Sequence, residues 1–379
     1  MNKNRFESLI IKFLNNQITL SEEKELMTHL EKEENIVFFK NYIELNFSIN
    51  VSVFEKQRST SLPKLEPISI VRKYKFRWVV NIAAVLFVLV GMSLFLKLYF
   101  STPNFDNVLI DKQDITITLP DGNVKSIQQD ESFYLLNNEG ETIAKTQDNI
   151  LVFEEVKDSS ENLEARQKIE VPYGQNLSVR LPDNTLVYMN AGSTLEFPVS
   201  FEKKSVRQVI AYGELFFEVQ TDQKEFITLI DNIVIKVLGT SFNVNSYLED
   251  EEPTVVLIEG KVELKKETVA ESIELEPNEL ASFSKNHGKF IKREVNPSFY
   301  TSWMRGELVF RNETFENILK KLERHYNIKL ICQDENLNSQ VFNASFKAKE
   351  SIENILKYFN EIYSIDYQIN KDHSISINP

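Results

Sequence analysis

The sequence predicts a multidomain protein with four parts: a small all-α N-terminal domain, one transmembrane helix, a long all-β region and a C-terminal α+β module. Three observations lead to this fold class. Residues 78–96 form an uncharged apolar run that is long enough to cross a bilayer. Through residues 101–300, apolar and polar residues alternate between turn signals. Near both ends of the chain, apolar residues recur at helical spacing.

Composition limits the classes of function. The chain has 379 residues, of which 42% are hydrophobic, and its 43 Lys and Arg against 56 Asp and Glu give a net charge of −13. This acidic balance disfavours direct binding of nucleic acid. The single cysteine, Cys332, excludes an intrachain disulfide, a CxxC pair and a multi-cysteine zinc site. No glycine-rich phosphate loop and no GxSxG motif occurs. We therefore expect a sensor or interaction protein without cofactor or metal, and not an enzyme.

Residues 1–58 are predicted to form the small helical domain. Thr19 and Glu22 fit a capping box at the start of its second helix, with Ser21 as an alternative N-cap. The apolar side chains at helical spacing, which are the candidate partner-binding residues, are Phe6, Leu9, Phe13, Leu26, Leu30, Phe39 and Ile43. A segment this short has little core. It therefore either needs a partner to hold its shape or forms an independent small bundle. Residues 59–77 are a linker with a basic flank.

The transmembrane helix is predicted from Trp78 to Leu98. The nineteen residues of its uncharged run, 78–96, at 1.5 Å each span about 28 Å, close to the ~30 Å of a bilayer core. The alternative is a buried helix of a soluble core, which usually keeps one polar stripe. Four basic residues precede the run, namely Arg72, Lys73, Lys75 and Arg77, whereas Lys97 alone follows it before Asp106. The positive-inside rule then places the N-terminus in the cytoplasm.

Residues 101–300 are predicted to be β structure, with a core at 168–265. In the run GELFFEVQ, the alternation of Leu215, Phe217 and Val219 suits a strand with one buried face. The triplets at 120–122 and 182–184 are typical of turns and form a weak internal repeat. A β-helix, a sandwich and a jelly roll would all fit this pattern.

Residues 304–379 are predicted to form a separate α+β module of order β-α-β-β-α-β, in which the runs YSIDYQI and SISI close the chain as strands. One helix carries Phe315, Ile318, Leu319, Leu322 and Tyr326 on one face. Ser351 is the predicted N-cap of the next helix, whose apolar face holds Ile352, Ile355, Leu356 and Phe359. We interpret the acidic runs at 154–155 and 250–252 as solvated charge, and His325 as a residue of a helix C-terminus rather than a ligand.

Five motifs occur in order between residues 171 and 264: VPYGQ, LPDNTLVYMNAGSTLEFP, GELFFEV, VLGTSFNV and LIEGKVEL. On these motifs the chain resembles the FecR-type transmembrane anti-sigma factors, the iron-dicitrate sensor family. Asn184 stands where the family usually has glycine, and asparagine tolerates the positive φ of such a turn. The segment from Trp303 to Ile328 is similar to the family's C-terminal module, which is itself similar to the short signalling (STN) domain of secretins and TonB-dependent receptors.

The resemblance implies the function and its partners. The N-terminal helices would hold an ECF-type sigma factor at the inner membrane. The periplasmic part would read the N-terminal signalling domain of a TonB-dependent outer-membrane transporter. Site-specific proteases would then pass the signal inward and free the sigma factor, so that the effect on transcription is indirect and needs no direct contact with nucleic acid.

The resemblance also implies one candidate cleavage site, since some family members cut themselves at a Gly-Thr bond that matches Gly239-Thr240. The Thr240 hydroxyl would attack the Gly239 carbonyl in an N-to-O acyl shift, which needs a strained peptide. The residues themselves favour a simpler interpretation, in which Gly239 permits a turn or bulge between strands.

Two other functions remain open at the level of sequence. The first is a membrane-anchored periplasmic adaptor or envelope-binding protein without a sigma partner, and the second is a periplasmic enzyme on a membrane tether. Whatever the function, strand edges such as VFNASF (341–346) are predicted docking sites, because an exposed edge can accept a strand from a partner.

Overall fold

The computed structural model describes residues 9, 19–30, 113–127, 133–136, 140, 142–155, 165–250, 252–266, 272–284, 289–370 and 372–378. The chain divides into two compact units, Met1–Leu96 and Lys97–Pro379. Across the described ranges, no helix is both long enough and apolar enough to cross a membrane. The predicted span at 78–98, its basic flank and the linker lie outside those ranges, so the span stays a prediction.

In the first unit, the structure describes helix α1 (Leu20–Leu30). Its start confirms the predicted capping box: the Thr19 backbone N–H donates to Glu22 Oε2 at 3.1 Å, and the Glu22 N–H donates to Thr19 Oγ1 at 3.4 Å. Each partner thereby satisfies a donor that the first turn of a helix leaves free. Leu26 of α1 is fully buried.

The second unit begins with the β region, which confirms the predicted mostly-β class. Its strands are β1 (Ile115–Thr118), β2 (Val124–Ile127), β3 (Tyr134–Leu136), β4 (Thr142–Gln147), β5 (Ile150–Phe153), β6 (Arg166–Glu170), β7 (Leu177–Arg180), β8 (Leu186–Met189), β9 (Thr194–Pro198), β10 (Arg207–Glu218), β11 (Phe226–Ile230), β12 (Ile233–Val237), β13 (Ser241–Ser246), β14 (Thr254–Glu259), β15 (Val262–Lys266), β16 (Ser272–Leu275), β17 (Glu279–Ser284) and β18 (Lys289–Glu294).

These strands form two layers between which the chain alternates. One layer has the order β2-β1-β6-β9-β10-β11-β12-β15-β16. The other has the order β3-β4-β5-β7-β8-β10-β13-β14-β17-β18. The architecture thus has the two layers of a sandwich. As in a β-helix, strands that come later in the chain mostly lie further along each layer; we call the two layers together the stack.

Strand β10 joins the layers because it belongs to both. Its first half pairs with β9 and β11, and its second half pairs with β8 and β13. The change occurs at Gly213, whose φ is +92°, and a Cβ there would lie 2.7 Å from Ser193 Cα. Both the backbone conformation and the space therefore require glycine at this bend.

One apolar core spans the two layers. Leu215 and Phe217 are fully buried and Val219 nearly so, which confirms the predicted buried face of this strand. Phe217 stacks on Phe242 with ring centroids 5.0 Å apart. Strand alternation places Leu215 and Phe217 in this core, and the intervening Phe216 is also buried, with its ring 6.0 Å from that of Tyr188.

The turn at 181–185 confirms the prediction for Asn184, whose φ is +68°. Asp183 lies in the same turn, and its Oδ2 lies 2.9 Å from Nη1 of the buried Arg207. Arg207 also donates to the carbonyls of Gln220 and Lys224. A motif that the sequence marks as turn chemistry is therefore also one end of a buried ion pair.

The C-terminal module follows a short connecting segment, which contains α2 (Pro297–Tyr300) and a 3-10 turn (Ser302–Arg305). Its elements are β19 (Glu307–Thr314), α3 (Phe315–Tyr326), β20 (Leu330–Cys332), α4 (Glu335–Ser339), β21 (Val341–Lys347), α5 (Ile352–Tyr363), β22 (Asp366–Ile369) and β23 (Ile375–Asn378). Sheet β19-β21 and sheet β20-β23-β22 complete it.

The α+β class of the module is confirmed, and its predicted order needs two corrections. A short helix, α4, lies between β20 and β21, because Asp334 accepts a hydrogen bond from the Leu337 N–H and caps a turn. The six-element order also counts one closing strand, whereas the two predicted runs, YSIDYQI and SISI, form β22 and β23, which pair as a hairpin.

Both predicted helix faces of the module are confirmed. The buried residues of α3 and α5 that were predicted are Phe315, Ile318, Leu319, Leu322, Ile352, Ile355, Leu356 and Phe359. Ser351 caps α5 as predicted, with its Oγ 3.2 Å from the Asn354 backbone nitrogen. Helical periodicity sufficed here because each helix buries one continuous stripe in the module's own core.

Candidate functional site

The candidate sigma-binding residues fall mostly outside the described part of the chain. Among them, Leu9 and Leu26 are described and are fully buried. Helix α1 includes Leu30, but its side chain is not described, and Phe6, Phe13, Phe39 and Ile43 lie outside the described residues. Leu9 and Leu26 thus contribute to apolar packing in the free chain, and their role in binding stays a prediction.

The candidate cleavage pair lies in the link between β12 and β13. A Cβ on Gly239 would come within 2.8 Å of Thr221 Cα, so the close approach of this neighbouring segment requires glycine. Thr240 is buried, and its hydroxyl donates to the Lys261 carbonyl at 3.0 Å. The pair lines a cavity of about 260 Å³ together with Leu238. Packing explains Gly239, and self-cleavage stays a prediction that these contacts neither require nor exclude.

Polar residues concentrate where the C-terminal module contacts the β region; we call this contact the joint, defined by Tyr247, Glu249, Asp250, Glu214 and Arg324. Nη1 of Arg324 in α3 lies 2.7 Å from Glu249 Oε1 and 3.2 Å from Asp250 Oδ1. Its guanidinium also lies over the Tyr247 ring, 3.9 Å from the centroid. Arg324 is 5% exposed. Such a buried, multiply paired guanidinium holds two elements in a fixed orientation.

Main-chain contacts reinforce the joint. The Arg324 carbonyl accepts a hydrogen bond from the Gly174 N–H at 2.8 Å, and Lys320 Nζ lies 3.0 Å from the Glu249 carbonyl. A Cβ on Gly174 would meet Asn327 at 3.2 Å. Gly174 belongs to the VPYGQ motif, so this motif serves the contact with the module.

Glu214 places a carboxylate inside the joint. Its oxygens accept hydrogen bonds from Asn190 Nδ2 at 2.8 Å and from Asn243 Nδ2 at 3.4 Å, and Trp303 Nε1 donates to the Asn243 Oδ1 at 3.4 Å. Burial raises the pKa of Glu214, and the nearby Lys321 and these hydrogen bonds oppose the rise without cancelling it. Desolvation is therefore the largest contribution to the pKa shift of Glu214.

Tyr247 anchors the β side of the joint. Its hydroxyl donates to the Ala191 carbonyl at 2.7 Å, and its ring meets Tyr212 edge to face with centroids 6.1 Å apart. Burial raises the pKa of the Tyr247 hydroxyl far above its ordinary value, so it remains a neutral donor.

The free face of the module lies at β21 and α5. Among the described strands, β19 alone pairs with β21, so one edge of β21 keeps its backbone groups available. Beside it, α5 exposes Tyr358 and Ile362, which are 42% and 53% exposed, and the Tyr358 ring lies 5.9 Å from that of Phe346. An open strand edge beside an apolar helix flank is the geometry that accepts an added strand.

Sequence reasoning missed the joint. Asp250 was interpreted as solvated charge, and Arg324 and Glu249 were not singled out. Arg324 lies 75 residues from Glu249 and 74 residues from Asp250 along the chain, so no spacing rule connects it with them. The helical pattern gives no signal either, because Arg324 lies two residues after Leu322 and therefore off the predicted apolar face of α3.

The joint has no arrangement typical of catalysis. The described residues contain no group of three or more His, Cys, Asp and Glu that could hold a metal ion. What the arrangement can do is hold the module against the β region through charge, ring and backbone contacts.

Comparison with known proteins gives the following matches. The family model described as FecR protein matches residues 167–263, and the one described as FecR, C-terminal matches residues 307–377. No curated protein matches the chain. Two crystal structures of a putative anti-sigma factor from Parabacteroides distasonis ATCC 8503 are similar to it. One has 31% identity and a TM-score of 0.52, and covers 56% of this chain and 98% of its own. The other has 30% identity and a TM-score of 0.51, and covers 55% and 97% respectively.

Proposed function

The chain belongs to the FecR family, and we therefore propose that it is an anti-sigma factor that transduces a signal across the cell envelope. The observation that carries this proposal is the order of the two family matches along one chain, FecR protein and then FecR, C-terminal. The likeness to two putative anti-sigma factors supports it, since each is covered almost whole.

In the proposed arrangement, the protein is a single-pass protein of the inner membrane, with residues 1–58 in the cytoplasm and residues 101–379 in the periplasm. The N-terminal helices hold an ECF-type sigma factor. The periplasmic part receives the signalling domain of a TonB-dependent transporter, and site-specific proteolysis then releases the sigma factor. Proteolysis suits this task because a single helix transmits little conformational change by itself.

The sigma partner is tested by co-expressing the full chain with the ECF sigma factor encoded next to it. We expect the two to co-purify, and Leu26→Asp to abolish the complex by placing a charge at a buried position of α1. Thr28→Ala, at an exposed position of the same helix, is the matched control. Absence of the sigma factor from the wild-type preparation would contradict the proposal and favour the adaptor without a sigma partner.

The docking surface for the transporter is proposed to be the free edge of β21 with the flank of α5. Its occupant is an extended strand of the transporter's signalling domain, with apolar side chains against Tyr358 and Ile362 and a carboxylate near the exposed Lys347 and Lys349.

This surface is tested by pull-down of the full chain with the transporter's purified signalling domain. We expect the double substitution Tyr358→Asp and Ile362→Asp to abolish binding, because it places charge on the apolar flank. Glu353→Gln on the same helix is the control, since its carboxylate lies on the side of Tyr367. Unchanged binding by the double variant, or concentration-dependent dimers of the chain alone, would contradict this assignment.

Self-cleavage is tested by mass spectrometry of the full chain purified from cells in which the transporter is engaged. Fragments that meet at the bond between Gly239 and Thr240, absent in Thr240→Ala, would establish the acyl-shift mechanism. A chain without a break at this bond would contradict self-cleavage and leave proteolysis to the separate proteases.

A further inference from the structure

Three consecutive residues at the end of α3 connect the joint with the docking surface. Arg324 points to Glu249 and Asp250 of the β region. The next two residues point the other way: His325 Nε2 lies 2.9 Å from the Ala348 carbonyl, and the Tyr326 hydroxyl donates to the Glu350 carbonyl at 2.6 Å. One turn of helix therefore contacts both sides of the module.

The carbonyls of Ala348 and Glu350 belong to the turn at 348–351, which joins β21 to α5. The turn is closed by a hydrogen bond from the Glu350 N–H to the Lys347 carbonyl at 2.9 Å. A second bond, from the Ala348 N–H to the Gly306 carbonyl at 2.8 Å, holds it against the start of β19. Because it connects the two elements of the docking surface, a strand that adds to β21 and packs on α5 acts directly on this turn.

We propose that His325 and Tyr326 relay occupancy of the docking surface to Arg324, so that partner binding loosens the joint and frees the module from the β region. The two hydrogen bonds to the turn set the position of the last turn of α3, and that position sets whether the guanidinium reaches Glu249 and Asp250. The identity of the occupant rests on the proposed function, whereas the coupling within the chain does not.

The chemistry of the relay suits a fixed connection. Burial lowers the pKa of His325, so the imidazole is neutral and can donate to the Ala348 carbonyl. Tyr326 is half-buried, and its hydroxyl has a carbonyl as acceptor. Both bonds end on the backbone and hold the turn whatever side chains it carries.

Hydrogen–deuterium exchange on the full-length protein in detergent tests the relay. The Gly174 amide, which donates to the Arg324 carbonyl, reports opening of the joint. The Val219 amide, which donates to the Thr240 carbonyl inside the β region, reports general unfolding. We expect Arg324→Met to speed exchange at Gly174 about tenfold and Tyr326→Phe to speed it about fivefold, with Val219 unchanged. Tyr363→Phe, which removes an exposed hydroxyl at the C-terminal end of α5 and outside the docking surface, should leave Gly174 at the wild-type rate.

A double-mutant cycle separates coupling from independent effects. We expect Tyr326→Phe to add little at Gly174 in the Arg324→Met background, because the contact it acts on is already lost. Wild-type exchange at Gly174 in either single variant would overturn the inference, as would equal effects of Tyr326→Phe in both backgrounds. An equal rise at Val219 would assign the change to general unfolding and overturn it too. None of these readouts involves the sigma factor, so failure here is distinct from failure of the proposed function.

Discussion

Arg207 is 1% exposed, and its charge is compensated by Asp183 and by three backbone carbonyls, those of Gln220, Lys224 and Leu238. Gln220 and Lys224 lie in the loop between β10 and β11, and Leu238 lies between β12 and β13, so a single side chain ties two loops together. A buried charge of this kind adds specificity of position more than net stability, and its removal leaves its partners without donors.

We predict that Arg207→Met lowers the free energy of unfolding by about 3–5 kcal/mol, because Asp183 would remain buried without its partner. Urea denaturation followed by circular dichroism measures it. Arg166→Met is the matched control: Arg166 pairs with Glu196 on a partly exposed face, where such a pair contributes about 0–1 kcal/mol. Equal losses in the two variants would contradict the assignment.

Glu214 gives the joint a pH dependence whose sign follows from its raised pKa. The folded protein holds this proton more tightly than the unfolded chain, so the contribution to stability is fully present below the unfolded pKa of about 4.5. It is lost as the pH rises through the folded pKa.

We predict that Glu214→Gln, which keeps an acceptor for Asn190 and cannot ionise, stabilises the protein at pH 8 and has little effect at pH 4. Urea denaturation at the two pH values measures the difference. Glu218→Gln, on the same strand and exposed, should have no such effect. A larger gain at pH 4 than at pH 8 would contradict the assigned sign.

At the scale of elements, β10 connects the two layers of the β region, since it continues from one layer into the other. Its Gly213 has a positive φ and no room for a side chain, so the bend is fixed by the absence of a Cβ. The strand pattern alone predicted a buried face and not this crossing, because alternation describes one sheet at a time.

We predict that Gly213→Ala costs about 3 kcal/mol or more, from backbone strain together with overlap against Ser193. Gly122→Ala is the matched control: its φ is +84°, but no atom lies within 4 Å of the added Cβ, so strain alone acts and costs about 1–2 kcal/mol. Thermal unfolding measures both. Equal costs would show that the overlap is relieved elsewhere.

At the scale of the whole molecule, charge is divided unevenly along the chain. Residues 1–70 carry nine basic and ten acidic side chains, and residues 71–100 carry five basic and no acidic ones. The acidic excess therefore lies in 101–379, and the proposed orientation places it in the periplasm.

We predict that alkaline phosphatase fused after Pro379 is active, since that enzyme folds in the periplasm. Replacing Arg72, Lys73, Lys75 and Arg77 together by Gln should lower its activity, because the positive flank sets the orientation. Lys97→Gln is the control and should leave activity unchanged. An inactive fusion on the wild-type chain would contradict the proposed topology.

Features that depend on residues close together in the sequence could be predicted from it, and features that depend on distant residues could not. The caps at Thr19 and Ser351 and the turn at Asn184 were predicted, since each depends on residues within a few positions. The helix faces of the module were predicted because periodicity reports burial directly. The α4 turn was not, because so short an element carries too few residues for a period to show.

The sequence by itself determined the order of β region and α+β module, the family to which the motifs point, and the local turns and caps. Tertiary structure alone decided the two-layered stack shared through β10, the ion pair of Arg207 with Asp183, and the joint of Arg324 with Glu249 and Asp250. The physical reason is the same in each case. Local geometry and periodicity are written in neighbouring residues, whereas the partner of a buried charge and the pairing of a strand are chosen by which distant segments pack together.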